Sequence, residues 1–213
     1  MTTDTLLQKV VAFTTPTTCL LCSKEPTLLC EDCYSRALPP LPPQKPIAVT
    51  AYDDIGKELI RRFKFDGDQE AGRLCARYMA EMVRAEDYDV VTAATTTPAR
   101  RRQRGYDQSV LLAKWTAKHL GIPYLPTLVR IKSVHQIGAG RAQRLEQSEG
   151  LYVATRRVEG RILLIDDVIT TGATLAAAAA ALMQAGAETV EGLVFVRDEL
   201  ASGVRSNQRL AAY

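Results

Sequence analysis

The chain has 213 residues, 46% hydrophobic and 24% charged, with a formal net charge of +3. That length holds one or two domains of ~100–200 residues with a real core, and the near balance of charge excludes a globally basic nucleic-acid coat, so any basic surface must be local. No apolar run reaches membrane-spanning length, and Met1-Thr-Thr-Asp-Thr-Leu-Leu-Gln-Lys-Val10 lacks the basic start, apolar core and cleavage site of a secretory leader. The expectation is a cytoplasmic protein without membrane insertion.

Four of the five cysteines form Cys19-x2-Cys22 and Cys30-x2-Cys33, and Cys75 stands apart. An odd total in an intracellular-looking chain favours a metal over disulfides. Four thiolates complete a tetrahedral zinc shell with no open water position. The expected zinc is therefore structural, one per chain, adding ~10–16 kcal/mol of metal binding to a segment too small to fold alone. Residues 39–46 hold five prolines in eight, which predicts an extended connector. The expected division is a zinc-binding module over 1–38, a linker over 39–46 and a second domain over 47–213.

Ile47 to Tyr52 reads as a strand. Gly56 to Phe65 reads as a short helix with Leu59, Ile60 and Phe63 at helical spacing, broken by Asp66-Gly67-Asp68. Arg61, Arg62 and Lys64 form a small cationic set, for which a solvated face is as good a reading as a site. Leu74, Tyr78, Met79 and Met82 suit an amphipathic helix, with Cys75 in the core. Tyr88 to Ala94 is strand-like and runs into a loop, Thr95 to Gln108, where Arg100, Arg101, Arg102 and Arg104 gather the densest positive charge of the chain. Such a set suits phosphates, whether a diphosphate or a nucleic-acid backbone. Ser109 to Leu120 predicts a helix, with Trp115 and His119 as packing or surface residues. Leu128 to Ile131 predicts a short strand, and the polar stretch Lys132 to Gly150 a mobile flap.

Ile162 to Ile165 predicts a strand buried on both faces of a parallel sheet. Asp166 and Asp167 then fall at its C-terminal end, where open α/β sheets bind ligands. Thr170, Thr171, Gly172, Ala173 and Thr174 are small enough for backbone N–H groups to approach an anion, and a helix from about Leu175 adds its positive dipole end. The acidic pair would sit beside the anion, accepting hydrogen bonds from hydroxyls or holding a metal. A phosphorylated sugar presents both features. The helix over Ala176 to Met183 ends near Gly186, and Val190 to Val196 makes a further strand. The chain carries no Gly-x4-Gly-Lys-[Ser/Thr] loop, which argues against an ATP motor. A receiver-like domain is disfavoured because the acidic pair comes after residue 160, not after the first strand.

Ile162 to Thr174 resembles the phosphoribosyl-diphosphate motif of type I phosphoribosyltransferases. The double CxxC, the proline-rich joint, Arg104-Gly-Tyr-Asp-Gln108 and Gln136 eight residues before Arg144 resemble the competence-associated ComF family, over residues 19 to 197. The resemblance implies an α/β fold, a type I phosphoribosyltransferase-like parallel sheet flanked by helices, behind a small N-terminal zinc module of the double zinc ribbon kind. It implies that Val168, Ile169, Thr170, Thr171, Gly172, Ala173 and Thr174 wrap the 5-phosphate of phosphoribosyl diphosphate, and that Asp166 and Asp167 hold the ribose hydroxyls and carry any catalysis. Thr96, Thr97 and Arg100 would line the diphosphate loop, with magnesium arriving on the ligand. It further implies a role in handling single-stranded DNA during natural transformation, for which the cluster Arg100, Arg101, Arg102 and Arg104 offers nucleic-acid contacts, while the zinc module leaves open the docking of a partner protein such as a helicase-like uptake ATPase. The alternative is an active phosphoribosyltransferase of nucleotide metabolism with an unknown acceptor. Ala94-Thr-Thr-Thr-Pro98 and Tyr106-Asp107 stand where the family usually has a Val-Pro-Val-Pro-like entry and Phe-Asn, and Gln147 stands for a usual Asn. The expectation is therefore a ligand-binding site whose acceptor side departs from the family pattern.

Overall fold

The computed structural model describes residues 18–24, 26–38, 41, 44–51, 53–131 and 151–198. The expected flap over 132–150, with Gln136, Arg144 and Gln147, lies outside the described residues, as do most prolines of the linker. The chain divides into two compact units, Met1–Pro39 and Pro40–Tyr213.

In the first unit, Cys19 to Ser23 closes a turn through Ser23 N–H to Cys19 O at 2.9 Å, and Leu20 N–H donates to Leu28 O at 2.9 Å. Cys30 then heads α1 (Glu31–Ala37), which carries Glu31 and Asp32 in its first turn and Arg36 in its last, in accord with the helix dipole. Leu28, Leu29 and Leu38 are buried around it.

The second unit is built on a four-stranded parallel sheet in the order β1 (Ile47–Ala51), β6 (Thr189–Arg197), β5 (Arg161–Ile169), β2 (Val90–Ala93). Ile162, Leu163, Leu164 and Ile165 in β5, and Leu193 to Val196 in β6, are at most 1% exposed, the two-sided burial that a parallel sheet requires. Alternation splits them. Ile162, Leu164 and Val194 join one cluster with Leu175, Ala178 and Leu182 of α6 (Ala173–Gln184). The intervening side chains point to the opposite face, where α3 (Gln69–Glu81) and α5 (Gln108–Leu120) pack on each other. The alanine run of α6 lets it lie close on the sheet.

The predicted helix over Gly56 to Phe65 divides. α2 runs Asp54–Arg61, capped by Asp53, whose carboxylate accepts Gly56 N–H at 2.6 Å, and a π-helical turn follows over Arg62–Asp66. Phe63 is fully buried in that turn, its ring 5.6 Å from Tyr106 and 5.8 Å from Trp115. Gly72 of α3 leaves room for it, since a Cβ there would fall 2.5 Å from the Phe63 ring.

A two-stranded antiparallel ribbon stands apart from the main sheet: β3 (Leu128–Arg130) pairs with β4 (Tyr152–Ala154), Arg130 opposite Tyr152. One correction concerns the arginine-rich stretch, read from sequence as a loop. It forms α4 (Pro98–Arg104): Thr97 accepts Arg100 N–H at 3.3 Å as the cap, Pro98 occupies the first turn and Gly105 ends the helix in the left-handed region at φ +83°. The arginines are good helix formers, and the cap and stop signals flank them.

Candidate functional site

The acidic pair sits on an overhang. β2 follows β5 only from Val90 beside Ile162 to Ala93 beside Ile165, whereas β6 follows it on to Ile169 beside Arg197. β5 thus runs four residues further than the sequence pattern predicts, and Asp166 to Ile169 project past the end of β2. The last tie to that side is Ala94 N–H to Ile165 O at 2.9 Å. Beyond it opens a cleft of about 660 Å³ at the carboxyl ends of the strands.

Asp166 is 9% exposed. Its Oδ1 accepts hydrogen bonds from Ser109 Oγ at 2.8 Å and from Asp167 N–H at 2.9 Å. Burial first, then the charge of Asp167, raises its carboxyl well above the ordinary carboxylate range, while Ser109, the Asp167 N–H and Lys64 act in the opposite sense. Asp167 pairs with Lys64, Oδ2 to Nζ at 2.9 Å, with 13% and 17% of the two side chains exposed.

The phosphate-type loop follows directly. Gly172 adopts φ +80° and caps α6 without a side chain, so the helix begins at Ala173, two residues earlier than the sequence suggests. An L side chain strains that conformation. Thr171 Oγ1 accepts Ala173 N–H at 3.4 Å. Val168 to Leu175 line a cradle of about 30 Å³, and the first-turn N–H groups of α6 supply the donors that an anion needs.

Across the cleft, the tail of β2 is held from three sides. Thr96 N–H donates to Asp107 Oδ2 at 2.8 Å, Tyr152 Oη donates to Thr95 O at 2.8 Å, and the Thr97 hydroxyl is spent on capping α4. Asp107 also caps α5 through Val110 N–H at 3.3 Å, and burial raises its carboxyl against these two donors.

The helical form of α4 sorts its arginines. Arg100 and Arg104, one turn apart, both line the cleft. Arg104 Nη1 donates to Gln108 Oε1 at 2.8 Å, and its guanidinium lies 5.1 Å from the centre of the Phe65 ring. Arg101 lines a different groove of about 630 Å³, beside Lys114 and Tyr124, and Arg102 is exposed.

The structure therefore brings Asp166, Asp167, Val168, Thr170, Thr174, Thr96, Arg100 and Arg104 to one cleft, with Ile169, Thr171, Gly172 and Ala173 completing the adjoining cradle. Thr97 and Arg102 line neither. Sequence reasoning missed Ser109, 57 residues from its partner, and did not separate Lys64 from Arg61 and Arg62. Those two arginines bond Glu58, Arg61 at 2.8 Å and Arg62 at 2.9 Å, which with Arg61 first holds that carboxyl down at about 2.

In the first unit the Sγ atoms of Cys19, Cys22, Cys30 and Cys33 lie within 4.8 Å of one another, Cys22 and Cys30 at 3.6 Å. Zn–S bonds of ~2.3 Å in a tetrahedron put sulfurs ~3.8 Å apart, so the donor set fits zinc. The Cys33 thiol is raised, first by its hydrogen bond to Cys30 and then by burial. A structural zinc is the group these residues suit.

A model of the phosphoribosyl transferase domain matches residues 107–208. With the parallel sheet, the acidic overhang and the threonine-rich turn, this defines a phosphoribosyltransferase-type domain. The chain is 30% identical over 189 residues to competence protein ComFC of Bacillus subtilis, covering 84% of this chain and 77% of that protein. It is 28% identical over 185 residues to DNA utilization protein YhgH of Salmonella typhimurium, covering 81% and 79%. Competence protein ComFC of Streptococcus pneumoniae is 28% identical over 152 residues, covering 70% and 67%. Among solved structures, the glutamine phosphoribosylpyrophosphate amidotransferase of B. subtilis complexed with ADP and GMP aligns at 26% identity and a TM-score of 0.40, over 58% of this chain and 25% of that one. The chain belongs to the ComF family of competence proteins. Among the described residues, no helix is long and apolar enough to cross a membrane.

Proposed function

We propose that the chain binds phosphoribosyl diphosphate and serves the handling of single-stranded DNA in natural transformation. The observation that carries the ligand is the continuity of the overhang: two carboxylates on β5, then a threonine-rich turn, then the start of α6 at Gly172, opening on the cleft and its adjoining cradle. The turn takes the 5-phosphate, Asp166 and Asp167 take the ribose hydroxyls, and Thr96 with Arg100 faces the diphosphate. Isothermal calorimetry with phosphoribosyl diphosphate and magnesium tests this. Saturable heat that Asp166→Asn/Asp167→Asn removes is the expected result, and equal heat in both proteins refutes the assignment.

The residues suit a magnesium ion carried by the ligand more than one held by the chain. Near the diphosphate position they offer neutral threonine oxygens, while Ser109 and Lys64 occupy the acidic pair. When bound, magnesium supplies charge neutralisation of diphosphate oxygens.

The DNA role is supported by the competence and DNA-utilization names of the relatives and by the exposed face of α4. Arg101 opens on a groove with Lys114 and Tyr124, a combination of cations and an aromatic ring that suits single strands. Oligonucleotide binding should weaken with salt at a slope of about −0.7 per phosphate neutralised. Replacing Arg101 and Arg102 by alanine should flatten that slope, and an unchanged slope removes them as contacts.

A further inference from the structure

Three cations lie close together in the chain, at 61, 62 and 64, yet only one meets the acidic pair. Arg61 and Arg62 are engaged by Glu58, Asp66 and Asp68, and Lys64 alone reaches Asp167. Its position is set through the residue before it. Phe63, its neighbour, is buried between Tyr106 and Trp115, and Tyr106 Oη donates a hydrogen bond to Phe63 O. Within the π-helical turn Phe63 is buried in the core and Lys64 lines the cleft, and such turns recur at functional sites.

Two adjacent carboxylates in a cleft that must also admit a phosphate pose an electrostatic problem, because each added negative charge repels the others in a poorly solvated space. A divalent ion between them is one solution. Here the place is taken: the ammonium sits 2.9 Å from Asp167 Oδ2, and a metal binding that oxygen would have to displace it or lie beside another cation.

Resting on the phosphoribosyl reading above, we propose that Lys64 is the resident cation of the acidic pair. It neutralises Asp167 and steadies Asp166, so the vicinal hydroxyls of a ribose phosphate bind without a divalent ion between sugar and protein. Lys64 is a positioning residue for the two carboxylates.

Calorimetry with ribose 5-phosphate, which lacks the diphosphate, isolates this role. The full-length wild-type protein should bind it equally in EDTA and in magnesium. Lys64→Ala should bind about tenfold or more weakly in EDTA, with part of the loss recovered by magnesium, and Lys64→Arg should stay near wild type. Circular dichroism melts check folding, and Lys64→Gln, which keeps most of the stem, serves should alanine unfold the chain. Equal affinity of wild type and Lys64→Gln in EDTA overturns the proposal, as does a wild type that needs magnesium for ribose 5-phosphate. If the wild type binds neither ribose 5-phosphate nor phosphoribosyl diphosphate in either buffer, the phosphoribosyl reading itself falls, and the role of Lys64 with it.

Discussion

Ser109 Oγ donates a hydrogen bond to Asp166 Oδ1 at 2.8 Å, joining the first turn of α5 to the end of β5 across 57 residues of chain. The bond favours the anionic form of a buried carboxyl that its surroundings otherwise push toward the neutral form. Ser109→Ala should therefore raise the Asp166 carboxyl further and weaken ribose 5-phosphate binding at neutral pH about tenfold, or about 1.4 kcal/mol. Calorimetry on the two proteins measures it, and unchanged affinity means the hydroxyl does not hold the anion.

The same carboxyl sets a pH dependence. Burial, then the charge of Asp167, pushes it up to about 7 in the folded chain, above the ~3.9 of an unfolded aspartate. The folded state binds this proton more tightly, so the contribution to stability is fully present below the unfolded value and is lost as pH rises through the folded one. Ligand hydroxyls need the anion, so binding runs the other way and should tighten between about pH 6 and pH 8, with proton release. Asp166→Asn should remove that part of the profile. The phosphate of the ligand titrates alike in both experiments, so the difference between the two profiles belongs to Asp166.

Packing around the π-helical turn gives a test of a different kind. A methyl group at Gly72 would fall 2.5 Å from the Phe63 ring and 2.8 Å from Trp115. Gly72→Ala should cost about 1–3 kcal/mol by overpacking, read from urea denaturation. Because Phe63 adjoins Lys64, it should also weaken ribose 5-phosphate binding, although Gly72 does not line the cleft.

For the first unit, anaerobically purified protein should carry one zinc per chain by metal analysis. Cys30→Ser or Cys33→Ser should lose it, since both side chains are buried in the four-sulfur group and a hydroxyl is a poor substitute ligand. Full zinc content in either variant argues against the tetrahedral assignment.

Much of this was legible because the signals were local. A run of Leu and Ile, then Asp166-Asp167, then small hydroxyl residues spells strand, acid pair and anion turn within thirteen consecutive positions, and each cysteine pair occupies one turn. The misreadings arose where neighbours in space decide. β5 extends to Ile169 because β6 keeps pairing with it, which its own residues do not announce. Phe63 and Lys64 diverge because Tyr106 and Trp115 hold the ring, and those residues are tens of positions away. In α4 the information was present: Thr97, Pro98 and Gly105 are ordinary start and stop signals, overshadowed by the charge between them.

The early end of β2 has a further consequence. The two ends of a bound ligand would be carried on different pieces of chain, one on the tail of β2 and the other on the projecting part of β5, and these leave the sheet one strand spacing apart, about 4.8 Å. On the phosphoribosyl reading proposed above, the sheet would then set a separation of about one five-membered sugar. A change in the loop after Ala93 would then alter what is held at the far end of such a ligand, while the spacing itself, fixed by the pairing of Val90–Ala93 with β5, would keep its length.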